Sequence, residues 1–235
     1  SLKISKRNTG VLFYDCTNYF FEIEQSDGDK QYGPSKEHRP NPIIQMGLFM
    51  DGDGIPLAFS INRGNMNEQL TLKPLEKKII SDFELSKFIV CTDAGLASED
   101  NRKFNDKEGR AFITTQSIKK LKAHLKKWAL DTEGWKLSGS TKTYDISKLD
   151  EMMDQATPEE KTKIISKVFY KERWIKENNF EQRLIVTYSI KYRDYQRNIR
   201  NAQIERAQKI IENNPTKIKK CNANDYKRFI HKTSY

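Results

Sequence analysis

The feature that constrains this chain most is an acidic residue inside an apolar run. The run is VLFYDCTNYFFE, residues 11–22, and the acid is Asp15. Aromatic and β-branched residues in such a run are typical of a β-strand. An ionised carboxylate is rarely tolerated inside a buried strand unless a cation lies beside it. The sequence therefore predicts a buried first strand whose acid is compensated by a nearby positive charge.

The first half of the sequence predicts a regular succession of strands and helices. The turn DGDG, residues 51–54, separates two apolar runs and predicts a hairpin. Apolar residues at helical spacing follow the hairpin, and Ser98 is a candidate helix cap further on. The predicted order is β-β-β-α-β-α-β, an α/β fold with a mixed sheet. Its segments are GVLFYDCT, NPIIQMGLFMD, IPLAFSINRG, NEQLTLKPLEKKIISDF, KFIVCTD, SEDNRKFND and AFITTQ.

A second acid, Asp93, ends the fourth predicted strand, whose apolar run is typical of a central strand buried on both faces. In the predicted order the first and fourth strands can lie side by side, which would bring Asp15 and Asp93 within reach of one ion. Paired carboxylates suit Mg²⁺ or Mn²⁺, because hard cations prefer oxygen ligands. Two such ions can activate an attacking oxygen and stabilise a leaving one in phosphodiester chemistry. The alternative is that each aspartate simply belongs to a strand end, where this residue is common.

The pattern changes beyond residue 116. One amphipathic helix, one capped helix and two strands are predicted from SIKKLKAHLKKWAL, TPEEKTKIISK, VFYKERWI and QRLIVTYS. A long helix follows, in which Arg193, Arg197 and Arg200 share one face and are candidate nucleic-acid contacts. Two apolar stripes are predicted to face the core: Ile118, Leu121, Leu125 and Trp128 in the first helix, and Tyr192, Tyr195, Ile199 and Ala202 in the long one. Residues 213–235 form a basic tail whose low apolar content is typical of a flexible segment.

The charge is spread unevenly along the chain. The net charge is +10, and residues 115–235 hold the whole excess, because residues 1–114 contain slightly more acids than bases. Nucleic acid is favoured over a membrane surface as the polyanionic partner, since no long apolar face accompanies the charge. An ordinary abundance of lysine is the alternative. No apolar run is long enough to cross a membrane. The three cysteines, Cys16, Cys91 and Cys221, are widely spaced, which favours reduced thiols.

Three blocks of the sequence closely resemble the DDE transposases of bacterial insertion sequences. The blocks are YDCTNYFFE, YGPSKEHRPNPIIQMGLFMDGDGIPLAFSINRGNMNE and FIVCTDAGLAS, and IVTYSIKYRDYQRNIRNAQIERA is similar more loosely. The resemblance implies a ribonuclease H-like core that is interrupted by a large insertion. We therefore expect an incomplete catalytic core in residues 1–115, a basic α+β insertion domain in residues 116–212 and a tail in residues 213–235.

The resemblance also implies roles for individual residues. Asp15 in YDCT matches the first catalytic acid and metal ligand of the family, and Asp93 in TDAGL matches the second. Lys36, His38 and Arg39 in YGPSKEHRP are candidates for contacts near the scissile phosphate. The alternatives are a solvated loop for the lysine and arginine, and turn capping for the histidine. The implied cofactor is Mg²⁺ or Mn²⁺, with two ions in the complete enzyme.

The third catalytic residue of the family has no match here. The family carries a glutamate in the motif tyrosine, two residues, arginine, three residues, glutamate, six residues, lysine. Tyr195 is followed three places on by Asn198 instead of arginine. We therefore expect the chain to stop before the third acid, to bind Mg²⁺ poorly and to be inactive alone. Glu205 and Glu181 are the alternatives as substitute ligands.

The implied activity is hydrolysis of DNA at transposon ends followed by strand transfer into target DNA. The resemblance implies double-stranded DNA as the partner, a homodimer on paired ends, and a bacterial cytoplasmic, nucleoid-associated location. A DNA-binding remnant without chemistry and a nuclease of the same fold are the alternatives. In relatives that cut through hairpin intermediates, the insertion presents aromatic side chains to unstacked bases. Trp128, Trp135 and Trp174 are the candidates for this role, and a core position is the alternative for each.

Overall fold

The computed structural model describes residues 6–107, 109–213 and 226–230. The predicted tail, residues 213–235, lies mostly outside the described residues. The chain divides into two compact units, of which the first ends at Lys126 and the second begins at Lys127. Within the described ranges, no helix combines the length and the apolar character that a membrane crossing requires.

The first unit is built around a five-stranded mixed sheet. Its elements are β1 Val11–Phe20, β2 Ile43–Met50, β3 Pro56–Arg63, α1 Leu72–Asp82, β4 Phe88–Thr92, α2 Glu99–Asn105 and β5 Arg110–Thr114. The strand order is β3-β2-β1-β4-β5. Strands β1, β2 and β3 pair antiparallel, whereas β1, β4 and β5 pair parallel. The predicted succession of strands and helices is confirmed, and the first and fourth strands are neighbours.

One face of this sheet carries the core of the unit. Leu12, Tyr14 and Cys16 alternate along β1 toward this face and are buried together with leucines and an isoleucine of α1. The Tyr14 hydroxyl lies 2.6 Å from the hydroxyl oxygen of Thr71. Gly47 on β2 makes room for the tyrosine, because a Cβ at this position would lie 2.2 Å from the Tyr14 hydroxyl oxygen. The tyrosine and the glycine therefore fit only in the observed register of β1 and β2.

The opposite face of the sheet is open and carries Asp15. Phe13, Asp15 and Tyr19 alternate toward this face, where Phe59 and Ile113 expose 64% and 60% of their surface. The side chain of Asp15 is 65% exposed, so the prediction of a buried carboxylate is wrong. Successive side chains of a strand point to opposite faces, and the tyrosine and cysteine on either side of Asp15 take the core face. The acid therefore remains in contact with solvent.

The second unit contains a four-stranded antiparallel sheet. The elements after β5 are α3 Ala123–Leu130, β6 Trp135–Leu137, β7 Thr143–Tyr144, α4 Leu149–Gln155, α5 Pro158–Ile165, β8 Val168–Glu177, β9 Phe180–Ser189 and α6 Ile190–Asn213. The strand order is β7-β6-β8-β9. The predicted strands β8 and β9 form a hairpin, whose turn residues Asn178 and Asn179 have φ angles of 49° and 59°. Two positive φ angles are the signature of a type I′ turn. Thr157 and Glu160 form a capping box at the start of α5, as the sequence predicts.

The helix predicted from SIKKLKAHLKKWAL is shorter than expected. Ile118 lies in a 3₁₀ turn and is 39% exposed, and Leu121 follows in an extended conformation. The α-helix begins only at Ala123, so Leu125 is buried and Trp128 is half-buried. The predicted four-residue stripe is therefore correct only in its second half, because the extended residue interrupts the helical periodicity.

The long helix α6 faces the opposite way from the prediction. The predicted inner stripe is exposed: Tyr192, Tyr195, Ile199 and Ala202. Ile190 and Ala207 are the buried residues of this helix. Arg193 is only 15% exposed and its guanidinium lies 2.8 Å from the carboxylate of Asp150 on α4. Ion pairing with a distant segment therefore turns the arginine side of the helix, and not the tyrosine side, toward the rest of the unit.

A buried acid links both helices of the first unit to its sheet. Glu76 on α1 is fully buried and accepts a hydrogen bond of 3.0 Å from Asn105 of α2. Its other carboxylate oxygen lies 3.9 Å from the guanidinium of Arg110 on β5. Burial raises the pKa of Glu76 from 4.5 to about 6, although the asparagine and the arginine act in the opposite direction. The folded state therefore binds a proton at this carboxylate more tightly than the unfolded state does.

This shift predicts how the stability of the first unit depends on pH. The contribution of Glu76 is most favourable below pH 4.5 and is lost as the pH rises through about 6. A glutamine at this position does not titrate. We therefore expect the free energy of unfolding of Glu76→Gln, relative to wild type, to increase by up to about 2 kcal/mol over this range. Denaturant unfolding at a series of pH values measures the difference. Glu84→Gln, at an exposed position, is the control for the substitution itself. A flat difference for Glu76→Gln would contradict the assignment.

Candidate metal and nucleic-acid site

The two predicted acids follow the last register pair of neighbouring parallel strands. The pairing of β1 with β4 runs from Val11 opposite Ile89 to Tyr14 opposite Thr92. Asp15 and Asp93 are the next residues of the two strands. Residues paired in a parallel sheet point to the same side, and the carboxyl ends of such strands are where polar ligands bind in open sheets. Asp15 therefore lies on the open face where the pairing of β1 with β4 ends, and Asp93 begins the turn at the same end of that pairing.

Asp93 is held by the turn that follows β4. Its Oδ1 accepts hydrogen bonds from the backbone N–H groups of Gly95 at 3.0 Å and Leu96 at 3.2 Å. The Thr114 hydroxyl donates to the Asp93 carbonyl oxygen at 3.1 Å, which ties the turn to β5. These bonds use one carboxylate oxygen and fix the side chain. The residue is exposed, so its second carboxylate oxygen can accept a ligand from solvent.

Asp15 has a cationic neighbour, and that neighbour is a lysine. The ammonium of Lys36 lies 4.0 Å from Asp15 Oδ1 and also donates a hydrogen bond to the carbonyl oxygen of Cys16. The same Oδ1 accepts the backbone N–H of Cys16 at 2.8 Å. The positive charge predicted beside this acid is therefore present as a protein side chain, on a loop that precedes β2.

The three basic residues of the loop before β2 contact different partners. His38 is exposed, has a φ of 57° and donates its backbone N–H to the Ser35 carbonyl oxygen at 3.0 Å. This geometry agrees with a turn residue. The guanidinium of Arg39 lies 4.2 Å from the ring centre of Phe20 and pairs with Glu37 at 3.1 Å. Of the three basic loop residues in the described part of the chain, Lys36 is the one that the structure brings to Asp15.

Asn18 is a residue of this site that sequence reasoning missed. Its side chain accepts the backbone N–H of Lys36 and donates to the carbonyl oxygen of Pro34, both at 3.3 Å. The asparagine lies on β1, three residues after Asp15, so it fixes the lysine loop against the strand that carries the acid. The only signal in the sequence is a polar residue within an apolar run, and this does not specify its partner.

The carboxylate pair fits a divalent ion in ligand chemistry but not in ligand number. Both acids offer solvent-accessible oxygens, and a lysine ammonium beside Asp15 shows that a cation can be accommodated there. Among the residues that the structure describes, no group of three or more histidine, cysteine, aspartate or glutamate side chains could hold a metal. The suggested substitutes, Glu181 and Glu205, lie on β9 and α6 of the second unit.

The three arginines of α6 are not equally available to a ligand. Arg193 pairs with Asp150 and Asp194, both at 2.8 Å, and is largely buried by these contacts. Arg197 is 47% exposed and lies 3.6 Å from the Asp150 carboxylate. Arg200 is exposed. Accessibility to a polyanion therefore increases along the helix from Arg193 to Arg200.

The three tryptophans, which the sequence alone does not distinguish, differ in exposure and in contacts. Trp135 is 2% exposed and its indole N–H donates to the Asp131 carbonyl oxygen at 2.9 Å. Trp128 is half-buried, with the Lys171 ammonium 5.3 Å and the Arg173 guanidinium 5.4 Å from its ring centre. Trp174 on β8 exposes 70% of its surface. Only Trp174 among the three presents a free aromatic face.

The chain is similar to two solved transposase structures at low sequence identity. One is the Mos1 transposase paired-end complex with left transposon end, with 13% identity, 48% of this chain and 37% of that chain covered and a TM-score of 0.29. The other is the piggyBac transposase synaptic complex with hairpin DNA, with 13% identity, coverage of 55% and 29%, and a TM-score of 0.34. The chain thus spans about a third of the length of each. No protein-family model matches the sequence, and no curated protein matches it.

Proposed function

We propose that this chain is part of a metal-dependent enzyme that cleaves and joins DNA, a DDE transposase of an insertion sequence. The observation that carries the proposal is the parallel pairing of β1 with β4. Its last residue pair is Tyr14 and Thr92, and Asp15 and Asp93 are the next residues along the chain. The strand order β3-β2-β1-β4-β5 agrees with a ribonuclease H-like core. An acid in the middle of β1 and an acid directly after β4, both next to the last residue pair of these strands, are suited to bind the ions that phosphodiester chemistry uses.

In the proposed site, the acids bind metal ions and the basic residues contact the DNA. Asp15 and Asp93 bind Mg²⁺ or Mn²⁺ through carboxylate oxygens. A bound ion of this kind supplies Lewis-acid activation of the attacking oxygen and stabilises charge on the leaving one. Lys36 and Arg39, on the loop before β2, contact phosphate groups of the DNA near these acids. A third carboxylate ligand has to come from outside these two strands.

The second unit contributes DNA contacts in this proposal. It contains most of the basic excess of the chain. Arg197 and Arg200 are its proposed phosphate contacts, whereas Arg193 positions α6 through its pair with Asp150. We propose this unit to be the insertion domain of the family and the complete enzyme to act as a dimer on paired DNA ends.

A DNA-binding protein without catalytic activity is the second candidate. The observation that favours it is the lack of a group of three metal-ligating side chains among the described residues. Such a protein would bind DNA with the same salt dependence but would not cleave it. A nuclease would cleave DNA but would not join pre-cut ends to a target, so a strand-transfer assay with pre-cut ends separates it from a transposase.

We expect Asp15→Asn in the complete protein to abolish Mn²⁺-dependent cleavage and strand transfer. An amide binds a divalent ion far more weakly than a carboxylate, so the loss should exceed the roughly 10–100-fold cost of removing an outer-shell partner. Binding to DNA ends, measured by gel shift, should remain within a few-fold of wild type. Asp27→Asn is the control, because Asp27 is an exposed acid on the loop after β1 that pairs with Lys30. Cleavage that survives in Asp15→Asn would refute the assignment.

Trp174 is the proposed contact to unpaired bases. The charges around it are already compensated: Arg183, directly across the hairpin, pairs with Glu172, and Lys176 lies 3.9 Å from Glu181. The outer face of the hairpin therefore presents an exposed indole between paired charges, an arrangement suited to stacking on a base. An exposed indole can stack on any base, because every base has a π-face.

We expect Trp174→Ala to weaken binding of DNA that contains unpaired bases and to leave duplex binding unchanged. The loss should correspond to roughly 1–3 kcal/mol, the contribution of one base–aromatic stack. Fluorescence anisotropy with a hairpin-ended and a fully paired oligonucleotide measures both affinities. Tyr192→Ala on α6 removes another exposed ring, 64% accessible, and serves as the control. An equal loss on both oligonucleotides would exclude base stacking.

A further inference from the structure

The Lys36 side chain makes two polar contacts at the candidate site, one with the backbone and one with Asp15. The Lys36 ammonium donates to the Cys16 carbonyl oxygen and lies 4.0 Å from Asp15 Oδ1. Both side chains are partly exposed, the lysine to 46% and the aspartate to 65%. The ammonium is therefore close enough to compensate the carboxylate but is not enclosed by protein.

The backbone of the lysine loop is fixed even though the lysine side chain is accessible. Asn18 binds the loop on both sides, through the Lys36 N–H and the Pro34 carbonyl oxygen. Gly33 packs so closely that a Cβ there would lie 2.0 Å from the Gly64 carbonyl oxygen. The loop thus holds the Cα of Lys36 in place, and only its flexible four-carbon stem is free to move the charge.

The Lys36 ammonium lies where it would repel a divalent ion bound to Asp15. The Lys36 ammonium compensates the negative charge of Asp15 at a distance of 4.0 Å. A divalent ion bound to Asp15 would bring like charges into the same few ångströms as the ammonium. The lysine and the ion therefore compete for one carboxylate.

We infer that Lys36 is an exchangeable counter-ion of Asp15. In the absence of a divalent ion the ammonium neutralises Asp15, and when an ion binds, the lysine side chain leaves the carboxylate and contacts a phosphate of the DNA. This inference rests on the proposed function, because it takes Asp15 and Asp93 as the ion ligands. It adds that ion binding and phosphate binding strengthen each other. The ion releases Lys36 for the phosphate, and the phosphate holds Lys36 away from the carboxylate that binds the ion.

Mn²⁺ affinity of variants, measured from the electron paramagnetic resonance signal of unbound Mn²⁺, tests the competition. Lys36→Met keeps the apolar stem but removes the charge. This variant should bind Mn²⁺ about fivefold more tightly, because ion binding no longer has to break the attraction between two unit charges ~4 Å apart in water. Lys36→Arg should bind Mn²⁺ as wild type does. Lys73→Met is the matched control, because Lys73 pairs with Asp100 at 3.6 Å outside the site. Unchanged or weaker binding by Lys36→Met would overturn the inference.

The same titration separates failure of this inference from failure of the proposed function. Asp15→Asn and Asp93→Asn should each weaken Mn²⁺ binding. If neither does, the ion site itself is refuted. If both weaken binding but Lys36→Met does not strengthen it, the ion site stands and the role of Lys36 is refuted.

A second measurement needs no variant at the lysine. Acetylation of Lys36 by an amine-reactive reagent, quantified by mass spectrometry of the wild-type protein, should become faster when Mn²⁺ is added, because the ammonium is released from Asp15 and Cys16. The rate for Lys73 should not change. DNA added together with Mn²⁺ should slow the reaction again through the phosphate contact. A Lys36 rate that is insensitive to Mn²⁺ would overturn the exchange.

Discussion

The parallel pairing of β1 with β4 is the constraint on which the rest of the structure depends. This pairing places Tyr14 opposite Thr92. A shift by one residue would exchange the faces of the strand, so that Asp15 would enter the core and Tyr14 would face solvent. The contacts of Tyr14 with Thr71 and Gly47 oppose such a shift. Packing on the core face therefore fixes where the acid lies on the other face.

This arrangement separates a packed face of the sheet from a solvent-exposed one. The core face is closed by α1, whereas the open face carries exposed apolar residues and Asp15. Asp93 receives two backbone hydrogen bonds from its turn, and Asp15 receives one from its own strand. Backbone donors of this kind limit the rotation of the carboxylate that accepts them.

The local parts of this architecture could be predicted from the sequence, and the long-range polar contacts could not. The DGDG turn, the apolar run before Asp93 and the capping box of α5 are signals contained within a few residues, and each predicts its element correctly. The exposure of Asp15 depends on which face of β1 the helix covers. The orientation of α6 depends on an ion pair between Arg193 and Asp150, which are far apart in sequence. Helical periodicity alone favoured the tyrosines as the buried stripe, because it assigns no partner to an arginine.

The same contacts show why net charge is a poor measure of the surface that DNA can use. Arg193 is held in a network that leaves it 15% exposed, so a phosphate would have to replace two carboxylates to reach it. The guanidinium itself is shielded from solvent, although its two partners are 55% and 43% exposed, and this shielding opposes that exchange. An exposed pair such as Lys36 with Asp15 contributes little stability and exchanges partners at little cost. The basic residues that serve a polyanion best are therefore those whose own charged group is exposed, as that of Lys36 is, and in the proposed exchange a divalent ion would also displace Lys36 from Asp15.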